Sequence, residues 1–208
     1  MREILLATGN PGKAREMGEI LSGADPAVFR TVRWRHLREF VGWPEAVEDG
    51  ATFLANAEMK ARHYAGLSGL WTIADDSGLE VDAVGGEPGV RSARYAGEPK
   101  SDQANNALLI KRLASVPDER RTARFRCAVV LAGGGKVLAS AEGAVEGRIV
   151  DTPRGTNGFG YDPHFWFEAA GKTMAEMLPE QKHAVSHRGQ ALRRPAAELS
   201  RLLAAETR

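Results

Sequence analysis

The chain opens on a short apolar run over residues 3–7 that breaks at Thr8-Gly9-Asn10-Pro11-Gly12, after which Met17, Ile20 and Leu21 recur at helical spacing as far as Gly23. That pattern predicts strand, tight loop and helix, with Asn10 as N-cap, Pro11 in the first turn and Gly23 as C-terminal cap. Residues 24–50 mix apolar and charged positions, with Trp34, Phe40 and Trp43 among arginines, and predict one irregular strand before an acidic loop, Glu45 to Asp49. From Thr52 to Ala65, Leu54, Ala57, Ala61 and Tyr64 share one face, which predicts a second helix ended by Gly66. Leu70 to Ala74 reads as a buried strand running into Asp75-Asp76-Ser77-Gly78, with a further strand-like piece over Leu79 to Val84 before Gly85-Gly86.

Ser101 is placed to cap a third helix through Ala114, to which Ala104, Leu108 and Ile110 to Leu113 supply apolar surface. Phe125 to Leu131, the glycines 133–135 and Lys136 to Ala141 predict a hairpin, and Ala144 to Val150 another strand. A glycine-rich loop, Gly155 to Pro163, leads into His164 to Phe167, and helical segments are expected from about Thr173. The last helix should run from near Gly189 to Ala205, with a bend or a delayed start at Pro195. No internal repeat, low-complexity tract or flexible linker interrupts this order.

Composition narrows the class. At 208 residues, one large domain or two intimately packed lobes is the expectation for residues 1–208. With 43% hydrophobic and 26% charged residues the chain is neither disordered nor membrane-embedded in character. Its longest apolar run, Cys127 to Ala132, is about six residues against roughly 18 to 20 for a membrane span, so no membrane partner is expected. The amino terminus turns to Thr-Gly-Asn-Pro-Gly before a signal region could form, and the lone Cys127 allows no internal disulfide, so the expected compartment is the cytoplasm. Cys127 itself reads as a small buried hydrophobe. Lys plus Arg at 28 against Asp plus Glu at 27 gives a net charge of +1, which argues against a nucleic-acid-coating surface. Any anion site must be local.

Four segments carry candidate chemistry. Thr8-Gly9-Asn10-Pro11-Gly12-Lys13 closes a strand and opens a helix, where free backbone N–H groups and the Lys13 ammonium suit a phosphate. It is not a P-loop, which would need Gly at Ala7 and Ser or Thr at Ala14; a plain shaping turn is the competing reading. Asp75-Asp76-Ser77-Gly78 sets paired carboxylates after a buried strand, hard oxygen ligands suited to Mg²⁺, or else a turn and cap. Because neighbours in an extended chain point opposite ways, one carboxylate should face a ligand and the other hold the turn. Gly155 to Asp162 allows close backbone approach, and Phe159 or Tyr161 offers a flat face for a base, unless both rings serve the core. Lys182, His187 and Arg188 gather donors before the last helix, or form a solvated basic face.

Taken together, these residues resemble the inosine/xanthosine triphosphate pyrophosphatase family along the whole chain. The carriers are Ala7-Thr8-Gly9-Asn10 with Lys13 and Glu16, Ala74 to Leu79, Gly85 to Val90 with Ser92-Ala93-Arg94-Tyr95, Gly155 to Pro163, and Ser186 to Leu192. The resemblance implies an α/β fold with a mixed central sheet flanked by helices, two lobes with a nucleotide cleft between them, and a homodimer. It implies hydrolysis of ITP, dITP and XTP to the monophosphate and pyrophosphate with Mg²⁺. It assigns the triphosphate to Thr8, Gly9, Asn10, Pro11, Gly12 and Lys13, the general base and a metal ligand to Asp76, and a substrate contact to Ser77. Base and sugar fall to Phe159, Gly160, Tyr161 and Asp162 with Lys182, His187 and Arg188, and a second metal ligand to Glu48, Asp75 being the alternative.

The implied chemistry is coherent from below. Attack of water on phosphorus needs the triphosphate charge screened, which Mg²⁺ and Lys13 can do, and a base near the water, which Asp76 can supply. Hypoxanthine and xanthine carry a 6-oxo acceptor and an N1–H donor where adenine reverses both, so a donor such as Arg188 would discriminate. The rivals are a nucleotide pyrophosphatase of another base preference and a non-catalytic purine nucleotide-binding protein.

Overall fold

A computed structural model, describing residues 1–206, folds the first apolar run into strand β1 (Arg2–Leu6), with Ile4, Leu5 and Leu6 buried. Helix α1 (Pro11–Ala24) follows, and the Asn10 side chain accepts the Lys13 N–H as its cap. The helix runs past Gly23 and stops at Asp25. Pro26 disfavours helical backbone at the residue before it, and Asp25 turns its side chain to cap the next helix, α2 (Pro26–Phe29). The single strand expected in this region is β2 (Val32–His36), parallel to β1 with Trp34 opposite Ile4.

Helix α3 (Phe53–Ser68) is capped by Thr52 and ends on Gly69 at φ 67°, three residues beyond the expected Gly66. Only Gly69 meets the left-handed geometry that a helix-ending glycine supplies. The largest departure comes next, because the two strand pieces around Asp75 to Gly78 are one strand, β3 (Trp71–Val81). The carboxylates therefore lie within a strand and not in a turn at its end. Turn-forming composition gives way where the side chains are buried and partnered, as β propensity does to context. Residues beyond Val81 leave the strand in a short helical turn, Asp82–Val84, that ends on Gly85.

Helix α4 (Asp102–Leu113) is capped by Ser101. The expected hairpin is β4 (Thr122–Gly133) with β5 (Lys136–Ile149), and β5 absorbs the separate strand expected over Ala144 to Val150. Its turn is Gly134-Gly135, at φ 57° and 75°, the left-handed pair that a two-residue hairpin needs. Strands β6 (Phe165–Phe167) and β7 (Lys172–Thr173) complete one sheet of order β2-β1-β3-β4-β5-β6-β7, parallel at β2, β1 and β3 and antiparallel at β5, β6 and β7. Helices α5 (Pro179–Val185) and α6 (His187–Glu206) close the chain, α6 continuing through Pro195 without a delayed start. No described helix is long and apolar enough to cross a membrane.

The chain forms two compact units. Among the described residues, the first comprises 1–76, 127–143 and 188–206, and the second 77–126 and 144–187, so β3, β4 and β5 each supply residues to both. Each unit has its own core. Ile4, Leu6, Met17, Leu21, Ile73, Val129, Leu131, Leu192 and Leu199 pack in the first. Leu79, Val81, Leu109, Leu113, Phe125, Ile149, Tyr161 and Phe165 pack in the second.

Candidate functional site

In the first unit, β1 delivers Thr8 to the start of α1. Thr8 Oγ1 accepts the Asn10 N–H at 3.2 Å and Asn10 Oδ1 accepts the Lys13 N–H at 3.1 Å, so the loop's own side chains fix its shape. Lys13 Nζ lies 3.2 Å from Asp75 Oδ2. An ammonium has three donors, and this pairing leaves others for a phosphate.

Asp75 and Asp76 have divided roles. Asp75 is wholly buried and its Oδ2 also accepts from Arg188, at 3.2 Å from Nη2 and 3.4 Å from Nε. Burial would raise its pKa, but Lys13, Arg188 and Lys60 outweigh burial and hold it below the ordinary carboxylate range. It is an ionised anchor. Asp76 is 7% exposed, and its Oδ2 accepts from Asn56 Nδ2 at 3.1 Å. Here burial wins over the nearby Lys13 and Lys60, and the pKa rises. A carboxylate made more basic while remaining reachable is suited to take a proton.

The acidic loop is fastened to α3. Asn56 Oδ1 accepts the Gly50 N–H at 2.8 Å, Tyr64 Oη accepts the Ala46 N–H at 3.3 Å, and His63 Nε2 donates to the Pro44 carbonyl at 2.9 Å. Phe40 stacks on Trp43 at 4.2 Å between centroids and Trp43 on Tyr64 at 6.3 Å, so the tryptophan-rich segment shelves this loop. Within it, Glu48 Oε2 meets Lys60 Nζ at 2.8 Å, and the same ammonium donates to the Asp75 carbonyl oxygen at 3.0 Å. Burial disfavours the Lys60 charge, yet Asp75, Glu48 and Asp76 together raise its pKa.

In the second unit, the glycine-rich loop is built on Asp162. Its Oδ2 accepts the Phe159 N–H at 2.9 Å and pairs with the buried Lys182 Nζ at 2.5 Å. A side chain on Gly158, at φ +75°, would stand 2.0 Å from that oxygen, so glycine is required there. Asp162 and Lys182 thus serve each other. Tyr161 belongs to the core and donates its hydroxyl to the Ser92 carbonyl at 2.9 Å, whereas Phe159 is half-buried with the Lys182 ammonium 5.2 Å from its ring centroid. His187 is buried and stacks on Phe125 at 4.9 Å.

The expected site residues therefore divide. Thr8, Gly9, Asn10, Pro11, Gly12, Lys13, Glu48, Asp76 and Arg188 belong to the first unit, and Ser77, Phe159, Gly160, Tyr161, Asp162, Lys182 and His187 to the second. Arg188 differs from the donor expected to reach a base. It is 1% exposed, and its guanidinium is engaged by Glu16 and Asp75, because two buried carboxylates need a cation more than a neutral base does. Asn56 and Lys60 were not expected. Their signal was present: both lie on the inward face of α3 with Ala57, Ala61 and Tyr64, where a polar residue must have a buried partner.

A model of the Ham1 family matches residues 4–197. The chain belongs to the Ham1 family. It is 50% identical over 192 residues to the dITP/XTP pyrophosphatase of Geobacter sulfurreducens, covering 92% of this chain and 94% of that one. Against the dITP/XTP pyrophosphatase of Geobacillus kaustophilus the identity is 47% over 192 residues, 92% of this chain and 91% of the relative. The solved Ham1 protein of Coxiella burnetii superposes with a TM-score of 0.80 at 38% identity, covering 99% of this chain and 100% of that one. All five motifs that suggested the family at the sequence level lie within the residues matched by its model.

Proposed function

We propose that the chain hydrolyses ITP, dITP and XTP to the monophosphate and pyrophosphate, as a cytoplasmic homodimeric enzyme that uses Mg²⁺, its 208 residues forming one catalytic domain of two lobes. The observation that carries this reading is the contrast between Asp75, wholly buried and paired with Lys13 and Arg188, and Asp76, its neighbour on the strand, which keeps 7% exposure and accepts from Asn56. Membership in a family whose named relatives are dITP/XTP pyrophosphatases supports the substrate class. The buried lone cysteine agrees with a reducing compartment.

The donor set fits a magnesium ion. Asp76 and Glu48 are hard carboxylate ligands, and Mg²⁺ is commonly held by one or two carboxylates, waters and substrate phosphates. No cluster of three or more His, Cys, Asp or Glu side chains that could hold a metal occurs among the described residues. Held by Asp76 and Glu48, such an ion would screen phosphate charge and polarise the phosphorus. Asp76 then takes the proton of the attacking water, Lys13 and the Thr8 to Gly12 backbone hold the phosphates, and Phe159 lies against the base. Asp76→Asn tests this assignment: it should still bind ITP and release no pyrophosphate, whereas near-normal turnover would remove Asp76 from the role of base.

A further inference from the structure

The loop that carries Phe159 is gripped by α4 at Gly160. Asp102 opens α4 and Asn106 follows one turn later on the same face. Asp102 Oδ2 accepts the Gly160 N–H at 2.8 Å, and Asn106 Nδ2 donates to the Gly160 carbonyl at 2.9 Å. Both backbone groups of Gly160 are thus held by one helix face. Gly160 is at φ +61° with nothing within 4 Å of a would-be Cβ, so glycine is there for its backbone conformation and not for space. The grip has a rigid base: buried Asn105 accepts the Ala96 N–H at 2.7 Å and donates to the Ser92 and Ala93 carbonyls at 3.3 and 3.2 Å. Tyr161, next after Gly160, is fixed to the same Ser92 carbonyl at 2.9 Å.

We infer that Asp102 and Asn106 are positioning residues, which fix the Gly160 peptides and thereby the ring of Phe159, and so set affinity for the purine. Phe159 stands immediately before the gripped residue, and its own N–H is fixed from the other side by Asp162 at 2.9 Å. With three of the loop's backbone groups held in this way, the ring is pre-oriented before a nucleotide arrives, which lowers the ordering cost of binding. A charged acceptor makes the Asp102 bond the stronger of the two helix contacts. The inference rests on the reading that Phe159 lies against the base.

Steady-state kinetics with XTP on Asp102→Ala, Asp102→Asn, Asn106→Leu and Phe159→Ala, together with amide hydrogen exchange over residues 155–163, provide the test. Asp102→Ala should raise KM about 10-fold with kcat within about twofold, and should speed exchange in the loop without lowering exchange protection elsewhere. Asn106→Leu should act in the same direction. Asp102→Asn keeps an acceptor oxygen and should bring KM back to within about twofold of the native value, which a role confined to helix stability through the α4 dipole would not explain. A raised KM in Phe159→Ala with an unchanged KM in Asp102→Ala overturns the inference alone. An unchanged KM in Phe159→Ala overturns the base reading and the inference with it.

Discussion

Asp75 stands between three cations while Asp76, one residue on, is turned toward an amide, and strand alternation alone produces that separation. The anchor depends on Arg188, which is buried between Glu16 and Asp75. Removing one partner of a buried ion pair leaves uncompensated charge, so Arg188→Ala should lower unfolding free energy by about 3 to 5 kcal/mol in urea titrations. A loss under about 1 kcal/mol would show that the guanidinium is not structural. Cys127 gives a pH-dependent prediction at the same scale. Burial first, then the charge of Asp75, pushes its thiol up to about 12 in the folded chain. An unfolded thiol ionises near about 8.5, so above that pH the unfolded state sheds a proton that the native state keeps, and stability falls by about 1.4 kcal/mol per pH unit. Denaturant titrations from pH 8 to 10 should show this slope, and Cys127→Ala should reduce it.

At the scale of elements, α3 joins two parts of the proposed metal site. Its Asn56 holds both Asp76 and the Gly50 N–H of the acidic loop. A methyl at Gly50 would stand 2.8 Å from Asn56 Oδ1, 2.9 Å from Ala55 Cβ and 3.0 Å from Met59 Cε. Gly50→Ala should therefore displace the loop that carries Glu48 and raise the half-saturating Mg²⁺ concentration about 10-fold, the usual scale for disturbing the support of a metal ligand. An unchanged magnesium dependence would detach Glu48 from the metal. Much of this architecture was legible in the chain: the Asn10, Thr52 and Ser101 caps each name a helix start because a side-chain oxygen must satisfy an orphan N–H. The continuity of β3 was not legible, since Asp, Ser and Gly signal a turn unless burial supplies partners that lie far away in sequence, as Arg188 does for Asp75. The same remoteness hid the pairing of Arg188 itself. Which of Phe159 and Tyr161 turns inward was likewise decided by Ser92, about seventy residues earlier in the chain.

For the whole molecule, a net charge of +1 leaves no general field to attract a triphosphate, so recognition depends on a few placed groups. Lys13, paired with Asp75, is the clearest of them in the proposed site. Lys13→Ala should lower kcat/KM for XTP by about 10- to 100-fold while far-UV circular dichroism stays native, because Arg188 and Lys60 remain beside the Asp75 charge. Loss of the circular dichroism signal would instead make the Thr8 to Lys13 loop a folding element.

The measurement that bears most directly on the proposed activity is ³¹P NMR of the products formed from ITP, XTP, GTP and ATP by the native chain with Mg²⁺. Hydrolysis between the α- and β-phosphates predicts pyrophosphate and the monophosphate as the first products from ITP and XTP, with efficiencies about 10²-fold or more above ATP and GTP. Release of orthophosphate and a nucleoside diphosphate, or equal turnover of all four nucleotides, would contradict it.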